Sequence, residues 1–400
     1  MIKCAVFDAD GTLIDSMGVW LEADREYLSS KGRELDPATY GKFNKLTFVE
    51  SISYVKKHYG LEDSEEQITA DILKIVGKKY ENDVMAKDGV KELLRRLAGH
   101  GVKLAVATAN DKELVSLALK KNGLLGYFSG IVTCDETNCG KDDAAVFLHT
   151  SEMLGFKPSE TLVVEDSEQY VKAAREAGFF AVHINGIDRL GVGRRCVIVG
   201  AADIGRYDII KEYLKDDDCF IYCDAGLKHE AALGHKADLI IGDFDSTENP
   251  NRETETIVLP HVKDDTDTVF AVKEAMRRGF SEFLLIGVIG GRIDHTLGNI
   301  AILNMLHSAG CHGMIVDDHS EIEILSDKPA YVSDKFPYFS LLNITGVCRG
   351  VTVKNALYPL DDAELTTDFP LGISNEPLNG KTAIATVKEG RALLVRVRNN

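Results

Sequence analysis

Four hundred residues exceed what one ordinary hydrophobic core organises, so two or three domains are expected. A hydrophobic content of 44% and a mean hydropathy near zero describe a soluble globular chain, and no run approaches the roughly 18 apolar residues of a membrane helix, so no transmembrane helix is indicated. The net charge of −17, from 46 Lys and Arg against 63 Asp and Glu, argues against a nucleic-acid backbone or an anionic membrane surface as partner. Residues 1–8 run straight into a strand and meet an acid at Asp8, which is not a secretory signal. Eight cysteines without Cys-x-x-Cys spacing read as reduced thiols in a cytoplasmic protein.

Residues 2–8 read as a strand. From about 16 to 86 the apolar residues recur at helical spacing, as in Ile68, Ile72, Ile75 and Val76, with no β alternation. From Gly89 helices and strands alternate: helix 89–99, strand 102–107, helix 111–122, strand 130–132, helix 142–154, strand 161–164, helix 168–177, strand 179–183. Such alternation predicts a parallel sheet covered by helices, with the helical block inserted after its first strand. Residues 189–195, part of a glycine-bearing stretch without periodicity, read as a linker. A second alternation follows: strand 196–199, helix 206–214, strand 219–223, helix 227–233, strand 238–242, helix 267–278, strand 282–287 and helix 295–308. Short strands and turns from about 313 onward suggest a small all-β module. The fold class is therefore α/β: two parallel-sheet α/β domains, the first (1–188) with an inserted helical cap, the second over 196–320, then a small all-β domain over 321–400.

The first chemistry follows the first strand, at Phe7-Asp-Ala-Asp-Gly-Thr12. Asp8 and Asp10 are two apart at a strand end. Thr108 closes the strand 104–108, Lys141 follows Gly140, and Glu165 and Asp166 close the strand beginning at Leu162. Each lies beyond a different parallel strand, so all converge on one sheet edge. A carboxylate nucleophile, a second carboxyl as acid and base, and a lysine, a hydroxyl and Mg²⁺ to offset phosphate charge make a phosphate-ester hydrolase.

This set resembles the haloacid dehalogenase-like hydrolases, and the inserted helices resemble the cap of their beta-phosphoglucomutase-like phosphatases. The resemblance implies that Asp8 is the nucleophile, Asp10 the acid/base, Thr108 and Lys141 the phosphate clamp, and Asp8, Asp10, Glu165 and Asp166 the surroundings of Mg²⁺. Gly140-Lys141-Asp142 departs from the family's Gly-Lys-Pro. Substrate choice belongs to the cap, where Trp20, Lys45 and Phe48 are candidates.

The second chemistry centres on Leu239-Ile-Ile-Gly-Asp-Phe-Asp-Ser246, an apolar run into two acids one residue apart. In extended chain Asp243 and Asp245 point to one side, and two adjacent carboxylates call for a hard cation. Asp224 ends the preceding strand, Lys263-Asp-Asp-Thr-Asp267 precedes a helix, and Gly290-Gly-Arg-Ile-Asp-His-Thr296 joins a strand to a helix. Asp294 could cap helix 295–308, and Thr266 or Asp267 could cap helix 267–278. Together, several carboxylates and Arg292 suit a metal-bridged polyphosphate. A Walker loop is absent, because Asn375 stands where Gly380-Lys-Thr382 would need its first glycine.

These four motifs in this order resemble thiamine pyrophosphokinase, from about residue 196 to the end. The resemblance implies that Asp224, Asp243, Asp245 and Asp267 handle Mg²⁺–ATP and the thiamine hydroxyl. It implies that Lys263, Thr266, Arg292 and Asp294 meet ATP or thiamine. It also implies a homodimer in which Ser374 and Asn375 hold a thiamine bound by the partner. Animal members carry a tryptophan on the last strand, whereas the residues here are Leu394 and Val395.

Pyrophosphoryl transfer needs thiamine's free hydroxyl, which is blocked in thiamine monophosphate. The fusion therefore predicts a phosphatase for that ester ahead of the kinase. A sugar-phosphate phosphatase or phosphoglucomutase is the alternative.

Overall fold

The computed structural model describes residues 2–36, 48–137, 141–142, 144–244, 254–260, 264–344 and 346–398. Lys45, Asp245 and Lys263 lie outside them, as does the side chain of Phe48. The chain divides into two compact units, Ile2–Asp188 and Arg189–Asn400. No helix among the described residues is long and apolar enough to cross a membrane.

The first unit is built on strands β1 (Cys4–Phe7), β2 (Lys103–Thr108), β3 (Ile131–Thr133), β4 (Thr161–Glu165) and β5 (Phe180–His183). They pair in the order β3-β2-β1-β4-β5, all parallel. β1, β4 and nearly all of β2 are buried, so they read as unbroken apolar runs rather than alternating ones. Because β1 is central, the residue that follows it stands in the middle of the sheet's carboxyl edge. The cap helices Val19–Ser30, Phe48–Tyr59 and Glu65–Asn82 are inserted directly after this loop. The chain's two passages are stitched together there: Asp15 N–H donates to Met85 C=O at 2.9 Å and Lys87 N–H to Leu13 C=O at 3.0 Å. Helix Glu65–Asn82 starts where Ser64 accepts from Gln67 N–H. It buries Ile68, Ile72, Val76 and Tyr80 along one stripe.

The second unit begins with β6 (Arg195–Val199), β7 (Cys219–Cys223), β8 (Leu239–Gly242), β9 (Thr256–Val258), β10 (Glu282–Ile286) and β11 (His312–Val316). These are parallel, in the order β11-β10-β6-β7-β8-β9. The later strands are β12 (Ser320–Leu325), β13 (Ala330–Val332), β14 (Tyr338–Asn343), β15 (Val347–Lys354), β16 (Leu360–Thr366), β17 (Gly372–Asn375), β18 (Ala383–Thr386) and β19 (Ala392–Val397). The all-β region is not a sheet of its own alone. β12 pairs antiparallel with β11, and β19, β14 and β17 continue outward, giving one mixed sheet. A separate antiparallel sheet, β13-β18-β15-β16, encloses a second core.

Residues 189–195 do not behave as a free linker. Leu190 and Val192 are buried, and Gly191 N–H donates to Arg278 C=O at 2.9 Å, so the stretch packs with the second unit.

Candidate active sites

In the first unit Asp8 follows β1 and is 3% exposed. Its N–H donates to Val164 C=O, tying the two strand ends together. The Lys141 ammonium donates to Asp8 Oδ1 and, at 3.1 Å, to Glu165 Oε2. Asp8 Oδ2 is buried without a hydrogen-bond partner among the described residues. Burial pushes the Asp8 carboxyl up to about 6, against the pull of Lys141. Burial and then the neighbouring Asp8 push Glu165 up to about 8. Lys141 is held charged, because Asp8 and Glu165 outweigh its own burial.

Asp8, Glu165 and Asp166 bring carboxylate oxygens within 4.8 Å of one another. An orphaned, buried carboxylate oxygen among crowded acids is a donor set that a hard divalent cation fits. Asp10 does not join them with its carboxylate. Its Oδ1 accepts from Ser16 Oγ and, at 2.6 Å, from Tyr80 OH, and its Oδ2 accepts from Asn110 Nδ2 at 3.0 Å. The expected metal ligand is thus taken up by three hydroxyl and amide donors, one of them from a cap helix. Thr108 is buried at the end of β2, and its hydroxyl accepts from Asn110 N–H. Gly11 is obligatory: its φ is 80°, and a Cβ there would stand 2.0 Å from Asp166 Oδ2.

In the second unit Asp224, Asp243 and Asp267 bring carboxylate oxygens within 4.8 Å of one another, all three half-buried. They follow β7 and β8 and open helix Asp267–Arg277. Gly242 permits the approach, since a Cβ on it would meet Asp224 Cα at 3.0 Å. Thr266 caps the helix by accepting from Val269 N–H at 3.3 Å. Three carboxylates this close repel one another unless a cation lies between them.

Two local expectations are corrected. Phe244 has φ 51°, so the chain is not extended between Asp243 and Asp245, and the alternation argument does not apply there. Asp294 does not cap its helix. The helix already runs from Ile293, and Asp294 takes a fork-like pair from Arg292 at 3.1 and 2.5 Å, both largely exposed.

A cavity of about 700 Å³ adjoins the acids and includes Asp224, Asp243, Thr266, Asp267 and Arg292 in its lining. Lys228 and His295 line it too, and the sequence reading missed both. Lys228 pairs with Asp203 at 2.7 Å from the turn after β7, where no motif marked it. Ser374 and Asn375 are not in this lining. Ser374 is exposed with φ 56°. The Asn375 carboxamide is bound to the backbone, accepting from Tyr358 N–H at 3.0 Å and donating to Tyr358 C=O at 2.6 Å.

The chain matches the family described as Haloacid dehalogenase-like hydrolase over residues 5–184. It matches Thiamin pyrophosphokinase, catalytic domain, over 210–315 and Thiamin pyrophosphokinase, vitamin B1 binding domain, over 321–390. The phosphoglycolate phosphatase of Pseudomonas syringae pv. syringae is 30% identical over 189 residues, 46% of this chain and 69% of that protein. The chain belongs to the haloacid dehalogenase-like hydrolases, fused to a thiamin pyrophosphokinase. This hydrolase–pyrophosphokinase fusion is an enzyme in both parts, a phosphomonoester hydrolase and a thiamine pyrophosphokinase. It is 29% identical over 177 residues to the bifunctional riboflavin kinase/FMN phosphatase of Arabidopsis thaliana, a match covering 44% of this chain and about half, 46%, of that protein. The thiamine pyrophosphokinase structure from Bacillus subtilis covers 52% of the fusion and 100% of its own chain, with a TM-score of 0.47 and 21% identity.

Proposed function

We propose that the chain makes thiamine diphosphate by two reactions at two separate sites. The first unit hydrolyses a phosphate monoester, thiamine monophosphate in this reading. The second joins the freed thiamine to a pyrophosphoryl group from ATP, releasing AMP. The observation that carries the proposal is the pairing of acid groups: Asp8, Glu165 and Asp166 in one unit, and Asp224, Asp243 and Asp267 in the other.

In the phosphatase, Asp8 attacks phosphorus while Asp10 gives its proton to the leaving oxygen. Asp10 then takes a proton from water as the water attacks the aspartyl-phosphate, releasing phosphate and restoring Asp8. Thr108 and Lys141 hold the phosphate. Asp8 and Asp166, with Glu165 behind them, would hold Mg²⁺, which supplies positive charge against the phosphate oxygens.

In the kinase, the thiamine hydroxyl attacks the β-phosphorus of ATP and AMP departs. Asp224, Asp243, Asp245 and Asp267 would hold Mg²⁺ on the polyphosphate, and one of them accepts the hydroxyl proton. Lys263, Thr266, Arg292 and Asp294 meet ATP or thiamine. A homodimer supplies Ser374, with Asn375 bracing that turn, to thiamine bound by the partner.

The test is a panel of phosphate monoesters given with Mg²⁺ to the full chain carrying Asp243→Asn, so that no product is drawn onward. A kcat/KM for thiamine monophosphate at least about tenfold above those for sugar phosphates supports the reading. No preference would remove thiamine monophosphate and leave a sugar-phosphate phosphatase.

A further inference from the structure

Among the described residues, the cavity beside Asp224, Asp243 and Asp267 is lined by one lysine and one arginine, Lys228 and Arg292. The Arg292 guanidinium forks onto Asp294. Lys228 lies in the helical turn Asp224–His229 that follows β7, four residues after the acid that opens it. At about 2 Å of rise per residue, the two backbones stand about 8 Å apart along the turn. A lysine's four-carbon stem and a phosphate on a metal at Asp224 together close such a gap. The turn is fixed from behind by the next residue, His229, which is 2% exposed. A ring nitrogen that faces a carbonyl carries the proton. His229 Nε2–H therefore donates to Ala202 C=O at 2.9 Å, and Nδ1 accepts from the Tyr207 hydroxyl at 2.7 Å. Ala202 N–H in turn donates to Gly287 C=O at 2.8 Å. The turn that carries Lys228 is thus pinned to Gly200–Asp203, which walls the cavity.

The ammonium itself is held lightly. It pairs with Asp203 at 2.7 Å, and the two side chains are 45% and 98% exposed. An ion pair so open to water contributes little, so a phosphate oxygen takes the aspartate's place at small cost. The acids of this cavity repel a polyphosphate unless cations offset them, and a lysine among them supplies one. Thiamine carries a fixed positive charge on its thiazolium ring, which an ammonium repels.

We propose that Lys228 exchanges Asp203 for a phosphate oxygen of ATP, so that the wall formed by Gly200–Asp203 and Lys228 takes the nucleotide's polyphosphate and not thiamine. The assignment rests on the pyrophosphokinase reading above.

The experiment follows AMP formation by the full chain with Mg²⁺, varying ATP or thiamine while the other saturates. KM is the readout, because a misfolded fraction lowers kcat and leaves KM unchanged. Lys228→Met is expected to raise KM for ATP about tenfold, the scale of one charge-assisted hydrogen bond, with KM for thiamine unchanged. Lys228→Arg, which keeps the charge, is expected to recover most of that loss. Asp203→Asn breaks the same ion pair but keeps the cation, and is expected to leave KM for ATP unchanged or to lower it. Equal rises in KM for ATP in Lys228→Met and Asp203→Asn would make the pair a fastener between two loops and overturn the proposal. An unchanged KM for ATP in Lys228→Met, or a rise in KM for thiamine alone, would overturn it too while leaving the pyrophosphokinase reading intact. A wild-type chain that forms no AMP from ATP and thiamine would remove that reading and the assignment together.

Discussion

The two sites use carboxylates in opposite surroundings. In the first, Asp8 is 3% exposed, clasped by Lys141, and near Asp10, whose carboxylate is held by donors from loop and cap. In the second, the three acids are half-buried beside a cavity of about 700 Å³, and Arg292 is spent on an exposed pair with Asp294. The difference fits the chemistry proposed for each. A site whose own side chain attacks must hold that side chain desolvated and aimed. A site that transfers a group between two substrates needs room for both and charge to align them.

The comparison breaks most sharply at the open site. Asp243→Asn removes one charge from the acid group, and AMP formation with thiamine is expected to fall about 10³-fold. Hydrolysis of phosphate esters by the same protein is expected to hold, because the acids of the two units form separate groups. A parallel loss of both activities in a folded protein would mean one shared site.

Gly11→Ala tests the crowding of the buried site. The substitution forces a Cβ into Asp166 and strains a backbone at φ 80°. Phosphatase kcat is expected to drop about 100-fold, the scale of an ångström's misplacement, with AMP formation retained. Full phosphatase activity would contradict the tight packing of that loop.

A smaller effect is expected from Tyr80→Phe. It removes one donor at 2.6 Å from Asp10, and phosphatase kcat should fall about tenfold, with a shift in its pH profile as the acid/base loses a partner. An unaltered pH profile would make Tyr80 a packing residue only.

The smallest effect lies away from both sites. His312 holds its proton more tightly in the folded protein, first through Glu323 and also through Glu282. Its stabilisation is therefore complete below about pH 6.5 and fades as pH rises through the folded value. His312→Gln should lower thermal stability by at most about 1 kcal/mol at pH 5.5, and by less as pH rises. A pH-independent difference in melting temperature would contradict this.

What could be read from sequence was what strand ends dictate. Asp8, Thr108 and Glu165 follow apolar runs, and a run that ends in a polar residue marks the carboxyl edge of a sheet. Tyr80 and Asn110 could not be read that way, because they reach Asp10 across 70 and 100 residues of chain. The extended chain expected between Asp243 and Asp245 was misjudged because nothing in Gly-Asp-Phe-Asp announces a left-handed phenylalanine at 244. β16, Leu-Asp-Asp-Ala-Glu-Leu-Thr, is too acidic and too weakly alternating to read as a strand. The continuation of the parallel sheet through β12 and β19 depends on pairing between segments some seventy residues apart, Ser320 with Val397 among them.

The most direct test of two sites joined by one metabolite gives the full chain thiamine monophosphate and ATP and follows thiamine diphosphate. With Asp8→Asn the account predicts almost none, and full recovery of the wild-type rate when free thiamine is added. Thiamine diphosphate appearing from the monophosphate at the wild-type rate in Asp8→Asn would contradict it.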